Sequence, residues 1–352
     1  MATINTRLAA LAAATLLAPL VAACGDQGSQ QADAGATATA APQSSTLVIY
    51  SGRDEALISP LLEKLERSTG SKVEVRYGDS AELAGQLLEE GDKTQADLFL
   101  SQDAGALGAL GQQGRLEPLP QQSLDKVGQA YRAQDGTWVG LSGRARVIAY
   151  NPDKAAKAPD SVRDLTKPEW KGKVGYAPTN ASFQAFVTGM RVLDGDEATR
   201  TWLRDFKAND PKVYEKNGAI LDAVDSGEIS LGLINHYYWF EKAAEVGADK
   251  MTAKLHFPAK GDPGALVNVA GVGVIKGSDQ EAAAGKAVDY LLSAEAQTYF
   301  ADETKEYPLA AGVTSTVEGL PPLESIDAPK IDLSKLSSLQ ETLVMLQEAG
   351  MV

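Results

Sequence analysis

The sequence predicts an α/β protein built on mostly parallel sheets with helices on both faces. Two observations carry this. Short β-branched runs alternate along the chain with segments of helical spacing. Glycines stand just past the ends of several helical segments, where the chain must turn. No internal repeat is visible, so the alternation belongs to one wound fold and not to a solenoid.

The N-terminus is different in kind. "MATINTRLAALAAATLLAPLVAACG" carries one charge, Arg7, and then an apolar run from Leu8 to Ala23. That run is short for a bilayer span of roughly 20 residues. It has the charged start, apolar centre and small-residue end of a secretory signal, expected over residues 1–23. It closes on "VAAC", which resembles a bacterial lipobox. Cys24, the only Cys of the chain, is therefore the expected lipidation site; the alternative is a buried free thiol. The protein is then exported and lipid-anchored to the cell membrane, facing the periplasm or the extracellular side. A lipidated Cys24 leaves no thiol for a disulfide. The formal charge of −14 argues against nucleic acid and against binding anionic lipid by charge.

"GDQGSQQADAGATATAAPQSS" has no Val, Ile, Leu or aromatic residue, so residues 24–45 are expected to be a flexible tether. Order begins at "TLVIY". "ALISPLLEKLERSTG" then has helical spacing up to Gly70. "KVEVRY" alternates with period two. "SAELAGQLLEEG" is helical, with Ser80 as N-cap and Gly91 past the end. "ADLFLS" reads as a strand and "AGALGALGQQG" as a small-residue helix. "RVIAY", "EISLGLI" and "VAGVGVI" read as strands; "SFQAFVTGMRVL", "TRTWLRDF", "AILDAVDSG" and "EAAAGKAVDYLL" read as helices. In sheets of this kind ligands bind outside the carboxyl ends of the strands.

Several chemistries are excluded. There is no G-x-S-x-G elbow, no H-E-x-x-H and no Walker A motif. Gly271, Gly273 and Gly277 lie in an apolar strand and not at a strand-to-helix turn, against dinucleotide binding. One Cys and two His nearly exclude a zinc site of the usual kind. No nucleophile–base pair is visible, so no enzyme activity is expected. An adhesion or scaffold role would call for repeats.

"INHYYWF", Ile234 to Phe240, concentrates aromatics at the junction of a strand and a helix, with Asn235 as N-cap. Tyr237 and Tyr238 can converge there because the backbone is not yet helical. Phenolate oxygen is a hard ligand suited to Fe³⁺. Ionising a phenol of pKa near 10 at pH 7 costs about 4 kcal/mol, and a helix N-terminus returns at most ~2 kcal/mol. Two phenols therefore stay protonated unless a strong cation replaces their protons. Ligation and core packing both stand as readings of the tyrosines; Trp239 and Phe240 read as packing, and His236 as structural.

Together with the export signal, these residues resemble a solute-binding protein of an ABC importer, and more narrowly the bacterial ferric-ion-binding proteins. "LVIYSGRDEALISPLLEKLERSTGSKVEVRYGDSAELAGQLLEEG", "ADLFLSQDAGALGALG", "LSGRARVIAYNPDK", "GYAPTNASFQAFVTGMR" and "DPGALVNVAGVGVIKGS" carry the resemblance over most of the chain. It implies the two-lobed periplasmic-binding-protein type II fold, with the iron site in the interlobe cleft. The lobes are expected over 46–142 plus 273–320 and over 143–272, with 321–352 as a C-terminal helical segment. It implies iron ligation by Tyr237 and Tyr238, and by Tyr150, which also follows a strand.

The sequence departs from part of that pattern. Where many members carry a His there are Arg53, Asp54 and Glu55, and Gln102 stands where some have a Glu. The resemblance then implies Fe³⁺ held by tyrosinates with a small anion, carbonate or bicarbonate among them. Arg53 is the expected anion holder through its guanidinium fork. Asn180 and Ala181, the latter through its backbone, are carried over from the family's anion segment, with Arg144 and Asn217 as additions. Asp54, Glu55 and Gln102 are expected to line the site. The expected partner is the membrane permease of an iron ABC importer, served by a monomer. A ferric chelate or a small organic anion is the alternative ligand on the same fold.

Overall fold

The computed structural model describes residues 45–352. The expected signal segment, Cys24 and the tether up to residue 44 lie outside the described residues. Among the described residues no helix is long and apolar enough to cross a membrane.

The first third follows the expected alternation: β1 (Thr46–Ser51), α1 (Glu55–Thr69), β2 (Lys72–Tyr77), α2 (Ser80–Glu90), β3 (Leu98–Ser101) and α3 (Ala104–Gln112). Asp54 starts α1 by accepting the Ala56 N–H at 2.9 Å, and Gly70 ends it at φ 72°, a left-handed conformation that favours glycine. The cap of α2 is Asp79, one residue before the Ser80 expected. β1 pairs in parallel with both β2 and β3. Their carboxyl ends therefore share one edge of the sheet, and the residues that follow them are Gly52–Arg53, Gly78–Asp79 and Gln102.

The chain continues through β4 (Leu116–Glu117), α4 (Gln121–Leu124), β5 (Val139–Tyr150), β6 (Val174–Tyr176), α5 (Ala181–Asp194), α6 (Asp196–Ala208), β7 (Lys212–Val213), α7 (Asn217–Asp225), β8 (Leu231–Asn235), α8 (Tyr237–Val246) and β9 (Lys254–His256). It returns along β10 (Val267–Ile275), α9 (Glu281–Leu291), α10 (Ala294–Asp302) and β11 (Tyr307–Pro308), and ends in α11 (Leu339–Glu348). The short strands β4, β6, β7, β9 and β11 are too short to show a period, and α10 is a further helix that the sequence reading does not include.

The sheet order is β2-β1-β3-β10-β5-β8-β6-β7. It is more mixed than the sequence suggests. β10 runs antiparallel to β3 and β5, and β5 runs antiparallel to β8 and β9. The reason is connectivity. β5 carries the chain from one hydrophobic core to another, and β10 brings it back. Val139 and Leu141 of β5 join a core with Leu47, Leu61, Phe99 and Val272. Farther along, Ile148 packs with Tyr176, Phe183, Phe206 and Leu233, and Val147 packs on the other face with Ile220 and Ile234. Burying side chains of this size contributes about 1.5–3 kcal/mol each. One long strand serves two cores because it is buried on both faces along nearly its whole length.

The glycines of "VAGVGVI" belong to this crossing. A Cβ on Gly271 would lie 2.7 Å from the Val139 carbonyl oxygen, so only glycine lets β10 approach β5 at its bulge. The C-terminal segment touches both cores. Leu333 and Leu336 pack in the first, where Gly108 of α3 leaves room for the Ser334 carbonyl. Met345 and Leu346 of α11 pack in the second, and Arg191 of α5 donates to the Ser338 carbonyl at 2.7 Å.

Candidate metal centre

β8 ends at Asn235 and α8 begins at Tyr237, so a single residue, His236, turns the strand into the helix. His236, not Asn235, occupies the cap position, with φ −59° and ψ −41°. Asn235 is still in the strand, opposite Arg146. The Tyr237 and Tyr238 rings stack 4.2 Å apart at 27°. Tyr237 is buried and Tyr238 half-buried. Burial first, and then repulsion from Tyr238, pushes the Tyr237 phenol well above its ordinary value, with Arg144 opposing. Its proton leaves only when a strong cation takes its place.

The flanking residues hold the pair in position. Trp239 donates its indole N–H to the Ala253 carbonyl at 2.7 Å, and Phe240 is buried. His236 is fully buried. Its Nδ1 accepts the Ala145 N–H at 3.1 Å, and its Nε2 faces the Lys305 carbonyl at 3.1 Å. The carbonyl requires Nε2 to donate, so the ring is the neutral Nε2–H form. Burial pulls its pKa down to about 4. The ring also stacks on Tyr307 at 4.7 Å. These contacts give His236 the structural role expected of it.

Both tyrosines line an open cavity of about 600 Å³. Its other side is the carboxyl edge of β1, β2 and β3, with Arg53, Asp54, Glu55, Tyr77, Asp79 and Gln102. Glu241, on α8 three and four residues beyond the pair, lines it too. Burial, then Glu306 and Asp54, push the Glu241 carboxyl up to about 7 against the pull of Arg53 and Lys305. Among the described residues no group of three or more His, Cys, Asp or Glu is placed to hold a metal ion. A metal in this cavity would have to take phenol oxygens.

Arg53 lines the cavity with most of its fork already engaged, and only its Nε is left without a hydrogen-bond partner. Its guanidinium donates to both oxygens of Glu306, at 3.0 and 3.1 Å, in a buried pair. Ser142 donates to the same carboxylate at 2.5 Å, and Arg144 Nε lies 3.9 Å from it. Burial alone would raise the Glu306 carboxyl; Arg53 and Arg144 outweigh it and hold it below its ordinary value.

Arg146 is the unneutralised cation of the site. It is 2% exposed, and burial pulls its pKa down to about 9 with only Tyr238 and Tyr237 opposing. Its Nη1 donates to Ser182 Oγ at 3.1 Å and its Nη2 to the Leu233 carbonyl at 3.0 Å. Asn180 caps α5 by accepting the Ser182 N–H at 3.0 Å, as its sequence position suggests. Asn217 donates to Ser182 Oγ at 3.0 Å and to Asn180 Oδ1 at 3.3 Å. Arg144 and Ala181 line the same small hollow as Arg146, Ser182 and Asn235, together with Asp103, Phe186 and Leu266. The Nε atoms of Arg144 and Arg146 are buried without a hydrogen-bond partner. Two guanidiniums with unmet donors beside a helix N-terminus suit a small oxyanion.

Tyr150 is not brought to this site. It closes β5 opposite Leu231 and Lys254 and packs against the second core. β5 and β8 are antiparallel, so the end of β5 lies beside the start of β8, whereas Tyr237 follows the end of β8. Tyr150 lies four residue steps along the strand from Arg146, on the order of 13 Å. Gln102, Asp54 and Glu55 do line the cavity, and Asp54 uses one oxygen to cap α1.

The residues missed in the sequence are Arg146, Ser182, Asn235, Tyr77 and Glu241. For Arg146 a signal was present. "RAR" in a strand puts Arg144 and Arg146 on one face, and two arginines on a strand this apolar need an anionic partner. Glu241 was visible as the residue one helical turn beyond the tyrosines.

Residues 93–332 match the family model described as bacterial extracellular solute-binding protein. The chain is 35% identical over 322 residues to the major ferric iron-binding protein of Neisseria meningitidis serogroup B, covering 90% of this chain and 97% of that one. It is 34% identical over 321 residues to the Fe(3+)-binding periplasmic protein of Serratia marcescens, covering 90% and 94%. The crystal structure of iron-bound HitA from Pseudomonas aeruginosa matches with a TM-score of 0.81 at 33% identity, covering 87% of this chain and 99% of that one.

Proposed function

The chain belongs to the bacterial extracellular solute-binding proteins, and from that premise we propose that it binds ferric iron outside the cytoplasm and passes it to an ABC importer. It is a binding protein of a transport system and not an enzyme, and its fold is the α/β periplasmic-binding fold of the ferric-binding structures. The observation that carries the proposal is the stacked pair Tyr237–Tyr238, which lines the cavity with Arg53 and Gln102 and is near enough to the unneutralised Arg146 to act on its charge.

In this reading Fe³⁺ is the cargo. Each phenol gives its proton to solvent as its oxygen bonds iron. A small anion, carbonate for instance, sits against Arg146, Arg144, Ser182 and the N-terminus of α5, with Asn180, Asn217 and Asn235 around it. It neutralises the arginines and completes the iron's coordination. Arg53 acts through Glu306 to keep the cavity wall in place. The cores on either side of the β5–β10 crossing are the two lobes, and their approach closes the site. Lipid on Cys24 keeps the protein, a monomer, beside its permease.

A cavity of about 600 Å³ has room for more than one ion and one small anion, which favours a second reading: a ferric chelate as cargo. The test is the metal and anion content of protein purified without chelator. One iron and one inorganic anion per chain supports the proposal. Iron with a stoichiometric organic acid supports the second reading, and protein that takes up no iron under either condition contradicts both.

A further inference from the structure

We infer that Tyr77 supplies a third phenolate to the iron, from the side of the cavity formed by the carboxyl edge of the β1–β3 sheet. The inference rests on the ferric reading of the cavity. It is independent of which anion is bound.

Tyr77 is the last residue of β2 and pairs with Ser51 at the end of β1. Alternation along β2 puts Val73, Val75 and Tyr77 on the face that packs against the first core. The ring is therefore fixed by packing, and it lines the same cavity as Tyr237 and Tyr238. Burial and the Glu55 carboxylate raise its phenol, with no hydrogen bond contributing. A fixed phenol with an unengaged hydroxyl at a strand end is a ligand already placed.

The other groups on that side are poorer candidates. Arg53 is held by Glu306. Gln102 is a neutral amide. Asp54 gives an oxygen to the cap of α1. Glu55 and Asp79 are exposed at the rim. Tyr150, the phenol the family resemblance nominates, lies at the far end of β5. The charge count also fits. Three phenolates balance Fe³⁺, each forming an O–Fe bond while its proton passes to solvent, and the iron stays ferric throughout.

This arrangement gives each side of the cavity its own share of the metal. Tyr237 and Tyr238 bind from the second core's side, and Tyr77 binds from the first core's side. A ligand on each side makes iron the agent that draws the two together.

The test is the visible phenolate-to-iron absorption of ferric-loaded full chain with bicarbonate, compared between wild type, Tyr77→Phe, Tyr150→Phe and Tyr237→Phe. Loss of one of three phenolates lowers the band by about a third in Tyr77→Phe. Iron also passes to competing citrate at concentrations about tenfold lower or more. Tyr150→Phe behaves as wild type. A Tyr77→Phe protein with the band and the citrate competition of wild type overturns the inference, as does a Tyr150→Phe protein that loses a third of the band instead. Should Tyr237→Phe also keep the full band, the ferric reading itself fails. Circular dichroism of each variant confirms that its fold is intact.

Discussion

Arg53 and Glu306, 253 residues apart in the chain, form a two-pronged buried ion pair with hydrogen bonds of 3.0 and 3.1 Å. The carboxylate also accepts from Ser142 and lies near Arg144. Removing one partner of such a pair leaves a buried charge unmatched, which costs more than the pair contributes. Glu306→Ala should therefore lose about 3–5 kcal/mol of stability in chemical denaturation. A loss below about 1 kcal/mol would mean that the pair is open to water.

Arg146 has the opposite problem, since it already lacks a carboxylate. Arg146→Met replaces an unneutralised buried cation by an apolar chain of similar length. The variant should be at least as stable as wild type in anion-free buffer. Bicarbonate or phosphate should raise the melting temperature of wild type by mass action and leave that of the variant unmoved. Losing one charge-assisted contact weakens anion binding by roughly 10–100-fold. A full anion-induced shift in Arg146→Met would place the anion elsewhere.

His236 sets a pH dependence. Its folded pKa of about 4 lies below the ordinary 6.5 of the unfolded chain, because burial disfavours the cation. The stability it contributes is complete above pH 6.5 and is lost as pH falls toward 4, on the order of 3 kcal/mol in all. Glu241 acts with the opposite sign. Its carboxyl is raised to about 7, so its contribution is present below its ordinary pKa and lost as pH rises through 7. The two windows overlap, so the wild-type profile mixes them. His236→Gln isolates the first: its stability should fall less steeply than wild type between pH 6.5 and 4. Parallel profiles would show that the imidazole is not buried neutral.

Iron retention should itself fall with pH. Each phenol that bonds iron exchanges one proton, so affinity drops about tenfold per pH unit per phenol. Two or more phenols give at least a hundredfold per unit. Dialysis of the loaded protein at stepped pH reads this directly. Retention unchanged down to about pH 4 would exclude phenolate ligation.

What the sequence could convey depended on distance along the chain. The corner at Asn235–Tyr238 was legible because a strand pattern switches to a helical one within four residues, and the alternation from Thr46 to Gln112 was legible for the same reason. Strand direction was not. Tyr150 and Tyr237 both follow strands, and only the antiparallel pairing of β5 with β8 shows that they leave opposite ends of the sheet. Arg53 had the right chemistry for an anion, but its partner Glu306 is far off in sequence and in no motif. Arg146 and Tyr77 were hidden inside well-read strands, where periodicity assigns a face without saying which cavity that face meets.

The central claim is that Tyr237 and Tyr238 bind ferric iron as phenolates. The most direct measurement is a ferric titration of metal-free protein in bicarbonate, followed in the visible range. Wild type should develop a phenolate-to-iron band that saturates at one iron per chain, and Tyr237→Phe should lose about a third to a half of the band, together with most of the affinity. A Tyr237→Phe protein that keeps both would contradict the account.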